Sequence, residues 1–281
     1  MMLGMKKFLL FLWLIFGVSV CFGAVDYSAI DSFAENAPPL KTNTGLPKLV
    51  NYLVKSYKSD VAKARVLLAW IVYNIDYDSA RLKRITDGKE PQDIEISLNV
   101  EEDPRTGELV LRHGDLKILH TEDTIQRTLQ TRKGICKDIA RLYHHMCQLA
   151  GLETEIVNGY ACEQTQEIQT SEAHMWNAIK INGMWYFVDP TFALRGRIIY
   201  VNDQSEAKMV ERQLRQGRDV DKMKGVKKVV DNKWFLIDKE KIIQTHFPFE
   251  RRWQLQKKRV TFENFLKKSC HTTLKHFVDE L

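Results

Sequence analysis

No CxxC pair, no internal repeat and no low-complexity linker occurs in the 281 residues, and glycine and proline are sparse at 14 and 7. The missing CxxC spacing excludes zinc-ribbon and dithiol redox sites. Without a repeat, solenoid and propeller architectures drop out, and so little glycine and proline excludes collagen-like chains. Disordered and multi-span membrane classes are excluded as well, because 44% of residues are hydrophobic and 28% charged, an ordinary globular balance. What remains is long enough for one large domain, or for a core domain with substantial flanking segments.

A tight Lys/Arg block is also missing. The formal charge of +6 is nonetheless uneven: residues 201–281 hold 19 Lys/Arg against 12 Asp/Glu, so this stretch carries +7 and the rest of the chain −1. With acids mixed among the bases, the reading is a solvated helical surface, and no nucleic-acid partner is expected. An anionic envelope surface is the partner such a region could meet. Residues 1–24 read as an export signal, with Lys6 and Lys7 before the apolar run Phe8 to Phe16 and small residues at Gly23 and Ala24. Export to the periplasm or cell surface is expected, with an uncleaved signal anchor as the alternative. Once Cys21 leaves with the signal, Cys136, Cys147, Cys162 and Cys270 remain. An oxidising compartment allows one pair to bridge, and the spacing does not say which.

Along the chain, Asp26 to Pro47 is turn-rich and reads as a surface wrap. Val61, Ala64, Leu68, Ile71 and Ile75 recur at helical spacing and predict a helix with one buried stripe. A strand pair is expected around Asp103 to Gly107. Asp123 and Gln126 have capping-box spacing for a short helix that Gly134 ends. Directly after it, Cys136, Ile139, Ala140, Tyr143, Met146, Cys147 and Ala150 form one continuous helical face closed by Gly151. Cys136 therefore stands in the first turn of a core helix, where the dipole and unpaired N–H groups favour a thiolate. A strand is expected over Glu155 to Ala161.

His174 to Thr191 reads as two β-runs around Asn182-Gly183, the dipeptide favoured by two-residue type I′ hairpins. That loop pairs Ile181 with Met184 and sets Asp189 opposite Trp176. His174 and Asp189 then share a face as diagonal neighbours, about 7 to 8 Å apart between Cα atoms. A cysteine, a histidine and an aspartate in these settings match the nucleophile, base and orienter of thiol catalysis. Taken singly each is more often a packing residue; the hairpin register is what joins two of them.

The segments GICKDIARLYHHMCQLAG (134–151), HMWNAIKINGMWYFVDPTF (174–192) and, less tightly, RVLLAWIVYNIDYD (65–78) resemble the transglutaminase-like superfamily. The tail segment WFLIDKEKIIQTHFPFERRWQL (234–255) resembles the region that follows the core in bacterial and kyphoscoliosis-peptidase-like members. The resemblance implies an α+β fold with a papain-like core, in which the nucleophile helix packs on an antiparallel sheet. It further implies catalytic roles for Cys136, His174 and Asp189, and attack on an amide carbonyl through an acyl-thioester. Gln130, six residues before Cys136, stands where papain-like enzymes place an oxyanion-stabilising glutamine and is an oxyanion candidate. Trp176 is a substrate-cleft candidate that would cover the His/Asp pair, with plain core packing as the alternative. Asp138, within the family's Cys-x-Asp, is read as exposed helix-dipole support.

The expected organisation is a signal peptide (1–24), an N-terminal surface segment (25–60), a transglutaminase-like core (61–195) and a basic C-terminal extension packed on that core (196–281). No cofactor is expected. Glu101, Glu102 and Asp103 lack the ligand spacing of a calcium loop, and calcium stays open only because some family members use it. His113, His120, His144, His145, His246 and His271 show no zinc spacing. The leading reading is an exported thiol enzyme, peptidase, amidase or transglutaminase-type, acting on protein or peptide substrates. The alternative is a non-catalytic binding module of the same fold with a basic tail.

Overall fold

The computed structural model describes residues 25–90, 94–102, 109–118, 124–162, 173–199, 204–215 and 223–270. The export-signal segment, the Asp123 cap and Asp103 lie outside these residues.

Three helices open the described chain: α1 (Ser28–Glu35), α2 (Leu46–Val54) and α3 (Asp60–Asn74). Ser59 caps α3, its side chain accepting from Ala62 N at 3.2 Å. Beyond the first turn α3 is buried from Ala64 through Val72, all round and not along one stripe. Its sequence there is apolar at every position except Arg65, so no face is left for water. Arg65 is neutralised by α1, where Asp31 accepts from Nε at 2.7 Å and Nη2 at 2.6 Å, and its guanidinium lies over Tyr27 and Phe235. The expected surface wrap Asp26 to Pro47 sends Ala34 and Leu46 into the main core, and within the segment 25–60 Leu49, Val50 and Leu53 are buried there too.

Strand β1 (Asp76–Tyr77) and helix α4 (Ser79–Thr86) precede an antiparallel pair, β2 (Ile94–Glu102) and β3 (Leu109–Ile118). Helix α5 (Thr124–Thr131) stops at Arg132, which takes a left-handed φ of 58°. The expected stop at Gly134 is overridden because β4 (Lys133–Gly134) pairs in parallel with β1. Helix α6 (Cys136–Leu149) follows and closes at Gly151, φ 75°.

The central sheet then forms from β5 (Thr154–Ala161), β6 (His174–Ile181) and β7 (Met184–Val188), followed by the short α7 (Pro190–Ala193). Asn182 and Gly183 have φ of 50° and 79°, the two positive angles of a type I′ turn, and Ile181 faces Met184. Beyond α7 come β8 (Arg197–Ile199), α8 (Gln204–Arg215), β9 (Val226–Lys228), α9 (Lys239–Ile242), β10 (His246–Pro248) and α10 (Phe262–Phe265). Strand β10 returns to the sheet, giving the antiparallel order β10-β5-β6-β7. The architecture is α+β, with α6 held between sheet and helices. Asn177 of β6 donates to Ala140 O at 3.1 Å on one side of α6, and Tyr143 donates to Ala64 O of α3 at 3.3 Å on the other.

The basic extension is therefore not a solvated helical layer. It supplies a strand to the sheet and, with Tyr160 and Cys162 of the core, a second apolar cluster of Ile243, Phe247, Phe262, Phe265 and Leu266. A disulfide between Cys162 and Cys270 ties that cluster to the end of β5. Gly159 makes the docking of β10 possible. A Cβ there would lie 2.1 Å from Phe247 O and 2.5 Å from Trp176 Cη2, so any side chain must push β10 or the indole away.

Gly159→Ala should destabilise the fold by about 1 to 3 kcal/mol through overpacking. Thermal or urea unfolding of the variant reads this directly; an unchanged midpoint would mean that β10 does not lie this close.

Candidate active site

Cys136 opens α6 because its predecessor Ile135 is extended, at φ −90° and ψ 177°, and the chain turns helical immediately after. The start of α6 is clamped by charge. Asp138 Oδ2 accepts from Ile135 N at 3.1 Å and from Arg81 Nη1 at 2.7 Å, and Oδ1 accepts from Arg127 Nη2 at 3.0 Å. Asp138 is only 1% exposed at its side chain. This corrects its reading as exposed dipole support: it is a buried ionic node joining α4, α5 and α6.

His174 opens β6 and Asp189 follows β7, and the type I′ register sets them on one face. His174 Nε2 lies 2.7 Å from Asp189 Oδ2. Because an ionised carboxylate only accepts, Nε2 carries the proton. Cys136 lies near enough to the same imidazole to act on its ionisation. Burial on its own would lower the His174 pKa; the Asp189 charge and hydrogen bond, with a smaller share from Cys136, outweigh it and push it up to about 10. Phe192 stacks on the ring at 4.9 Å between centroids.

Asp189 is fully buried, as a carboxylate can be only when its oxygens are satisfied. Oδ1 caps α7 by accepting from Phe192 N at 3.0 Å. Oδ2 takes two imidazoles, His174 and also His246 Nε2 at 3.0 Å. Burial alone would raise the Asp189 pKa; the two histidines reverse this and hold it well below the usual carboxylate range.

His246 escaped the sequence reading, which tested it only for zinc spacing. It enters from β10, fully buried, with Nδ1 2.8 Å from Thr245 Oγ1 and its ring edge-on to Trp176, Phe192 and Trp234. The signal available was the resemblance of residues 234–255, which carries THFPF without assigning its histidine a role.

Of the other candidates, Trp176 is 1% exposed and packs against both imidazoles, so it backs the cluster from the interior instead of lining an open cleft. Gln130 lies exposed on α5, where Thr128 and Leu129 take the inward positions, and no hydrogen bond among the described residues joins it to Cys136 or His174. Cys147 sits buried on α6, and burial pushes its thiol up to about 12. Among the described residues, one grouping brings metal-ligating atoms within 4.8 Å of one another: His174, Asp189 and His246. It does not suit calcium, which takes six to eight oxygens, since two of the three donors are nitrogens. Each imidazole Nε2 is moreover committed to Asp189 Oδ2.

The site thus brings together a partly buried cysteine at a helix start with an imidazole and a buried carboxylate carried by a hairpin. Comparison with known proteins points to a family. The model of the transglutaminase-like superfamily matches residues 110–190, a span that contains Cys136, His174 and Asp189. Kyphoscoliosis peptidase of Mus musculus is 23% identical over 252 residues, covering 88% of this chain and 30% of that protein. Hillarin of Drosophila melanogaster is 29% identical over 149 residues, covering 50% of this chain and 17% of that protein. The chain thus spans less than a third of either relative. Among solved structures, the periplasmic domain of TgpA from Pseudomonas aeruginosa aligns with a TM-score of 0.35 at 16% identity, over 69% of this chain and 52% of that one. The sequence matches support the transglutaminase-like superfamily, the family that the motifs resemble.

Replacing Asp138 by Asn should cost about 1.5 to 3 kcal/mol, because it removes the charge from buried hydrogen bonds to Arg81, Arg127 and Ile135 N. Denaturant unfolding measures it, and a loss under about 1 kcal/mol would return Asp138 to the role of an exposed dipole partner.

Proposed function

We propose that the chain is an exported thiol enzyme that attacks amide bonds of protein or peptide substrates. One observation carries the reading: the His174 imidazole is bonded to Asp189 Oδ2 at 2.7 Å and lies beside Cys136 at the start of α6. With its pKa pushed up to about 10, His174 stays protonated at neutral pH beside Cys136, the proposed nucleophile.

Thiolate Sγ adds to the amide carbonyl carbon, forming a C–S bond and moving the carbonyl π electrons onto oxygen. The Cys136 N–H, among the first of α6 and without an intrahelical partner, is placed to stabilise that oxyanion. His174 gives its proton to the leaving nitrogen as the C–N bond breaks, leaving an acyl-thioester and a neutral imidazole. The imidazole then takes a proton from water or from an incoming amine, whose attack releases the acyl group and restores the thiolate–imidazolium pair. Water, the default acceptor, makes this a peptidase or amidase; an amine acceptor makes it a transferase. Asp189 keeps the ring oriented and its Nε2 protonated throughout.

Export is supported by the Cys162–Cys270 disulfide, which belongs to oxidising compartments. Among the described residues no helix is long and apolar enough to cross a membrane. Exposed Arg251, Arg252, Lys257, Lys258 and Arg259 offer a basic surface to an anionic envelope.

Iodoacetamide should alkylate Cys136 far faster than buried Cys147 at neutral pH, as read by peptide mass spectrometry. Equal, slow labelling of the two would sink the idea of an activated nucleophile. In a strain-free comparison of folded variants, Asp189→Asn should keep the circular dichroism spectrum and lower turnover of an amide substrate by roughly a thousandfold or more.

The sign of the pH dependence follows from His174. Its raised value means that the imidazolium is present throughout the neutral range, and turnover should fall as pH rises through about 10. A profile whose basic limb fell instead near the ~6.5 of an unperturbed histidine would contradict the coupling to Asp189.

A further inference from the structure

We infer that His246, delivered by the C-terminal extension, is a positioning residue for the reaction: it fixes the Asp189 carboxylate so that Oδ2 faces His174. The inference rests on the thiol-enzyme reading above and deepens it.

The geometry is specific. His246 Nε2 donates to the same oxygen that His174 uses, at 3.0 Å against 2.7 Å. Its other nitrogen, Nδ1, is met by Thr245 Oγ1 at 2.8 Å. The ring is 0% exposed among Trp176, Phe192 and Trp234, with centroids 4.9, 5.4 and 5.5 Å away. In so aromatic a setting an apolar ring would fill the space without burying two polar nitrogens, a burial that costs unless each nitrogen finds a partner. Packing alone therefore does not account for an imidazole. What the imidazole adds is a donor aimed at Asp189.

That donor has two consequences. A carboxylate held only by Phe192 N and His174 could rotate about its Cβ–Cγ bond and exchange its oxygens; with His246 bound, rotation must break three hydrogen bonds at once. Sharing the negative charge of Oδ2 between two donors also makes Asp189 a weaker proton acceptor, so the proton stays on His174 Nε2. His246 also lies against the His174 ring, 5.6 Å between centroids, and its polar contact with the site runs through Asp189.

The extension is built to deliver this ring. Cys162 N donates to Thr245 O at 2.7 Å and Phe249 N to Asn158 O at 2.9 Å, bracketing β10 on the β5 edge. Gly159, opposite both His174 and Pro248, leaves β10 and Trp176 room to close over the site.

The test uses the full chain with three substitutions. His246→Phe keeps a ring and removes the donor. His246→Gln keeps an amide N–H near the Nε2 position. His246→Asn puts its amide nitrogen at about the Nδ1 position, leaving Oδ2 unserved, and replaces the Phe variant should that fail to fold. Loss of a hydrogen bond to a charged group should lower kcat by about tenfold to a hundredfold in the Phe or Asn variant, with KM changed by less than about twofold, and Gln should recover most of it. Long-range proton–nitrogen spectra of histidine-labelled protein should show His246 Nε2 protonated, with a downfield proton that moves in Asp189→Asn.

Gln as impaired as Asn, a fully active Phe variant, or an unprotonated His246 Nε2 in the folded wild type would each overturn the proposal. Those results with an active wild type overturn it alone. A wild type that neither turns over amides nor shows selective Cys136 alkylation overturns the thiol-enzyme reading with it.

Discussion

The buried carboxylate of Asp189 is the constraint around which the site is organised. A charged group with no exposed surface must have its oxygens bonded, and here three donors come from three separate parts of the chain: the backbone at Phe192, the first residue of β6 and the first residue of β10. Each of those bonds fixes an element. The bond to Phe192 N starts α7 and ends the hairpin; the bond to His174 aligns the ring with α6; the bond to His246 holds β10 to the sheet. Chain geometry and site electrostatics are one arrangement, so the orientation of the imidazole is inherited from the way the sheet closes.

A second buried carboxylate does for the thiol what Asp189 does for the imidazole. Asp138 ties the extended Ile135 to Arg81 of α4 and Arg127 of α5, so the residue between Ile135 and Asp138's own turn, Cys136, has little freedom of position. Arg81 in turn donates from Nε to Glu90 at 2.6 Å, which balances a guanidinium only 5% exposed at its side chain. Interlocked charges of this kind add little net stability over apolar packing, because desolvation offsets the attraction. Their value lies in direction: a carboxylate flanked by two guanidinium groups and a backbone N–H has one geometry that satisfies all of them.

How much of this was legible in the sequence follows from range. The hairpin could be read residue by residue because Asn182-Gly183 fixes the turn and the period of two fixes the faces; the observed pairing of Ile181 with Met184 is the one that turn requires. The α6 face and its Gly151 stop were equally local. What failed was what depends on distant partners. Asp138 meets Arg81 across 57 positions, and nothing near it in the chain announces its burial. Arg65 breaks an apolar run and so made α3 look one-sided, although Asp31, 34 positions earlier, removes the penalty. Gly134 looked like a helix stop until β1 offered it a strand partner.

His246 failed for the same reason in sharper form. It stands 57 positions beyond Asp189 on a strand of three residues, too short to show alternation, in a stretch whose net charge suggested solvent. Yet the sheet needs that strand. Without β10, the outer edge of β5 would present unpaired backbone groups beside the site and leave one lobe of Oδ2 to water. A charge surplus says where the exposed side chains of a segment point and is silent about its few apolar and aromatic residues, which decide where the segment docks. Here Phe247, Trp253, Phe262 and Phe265 make that decision by facing in, while Arg251, Arg252, Lys257, Lys258 and Arg259 stay exposed. The Asp189 hydrogen bonds thus join residues on both sides of the expected core boundary at residue 195.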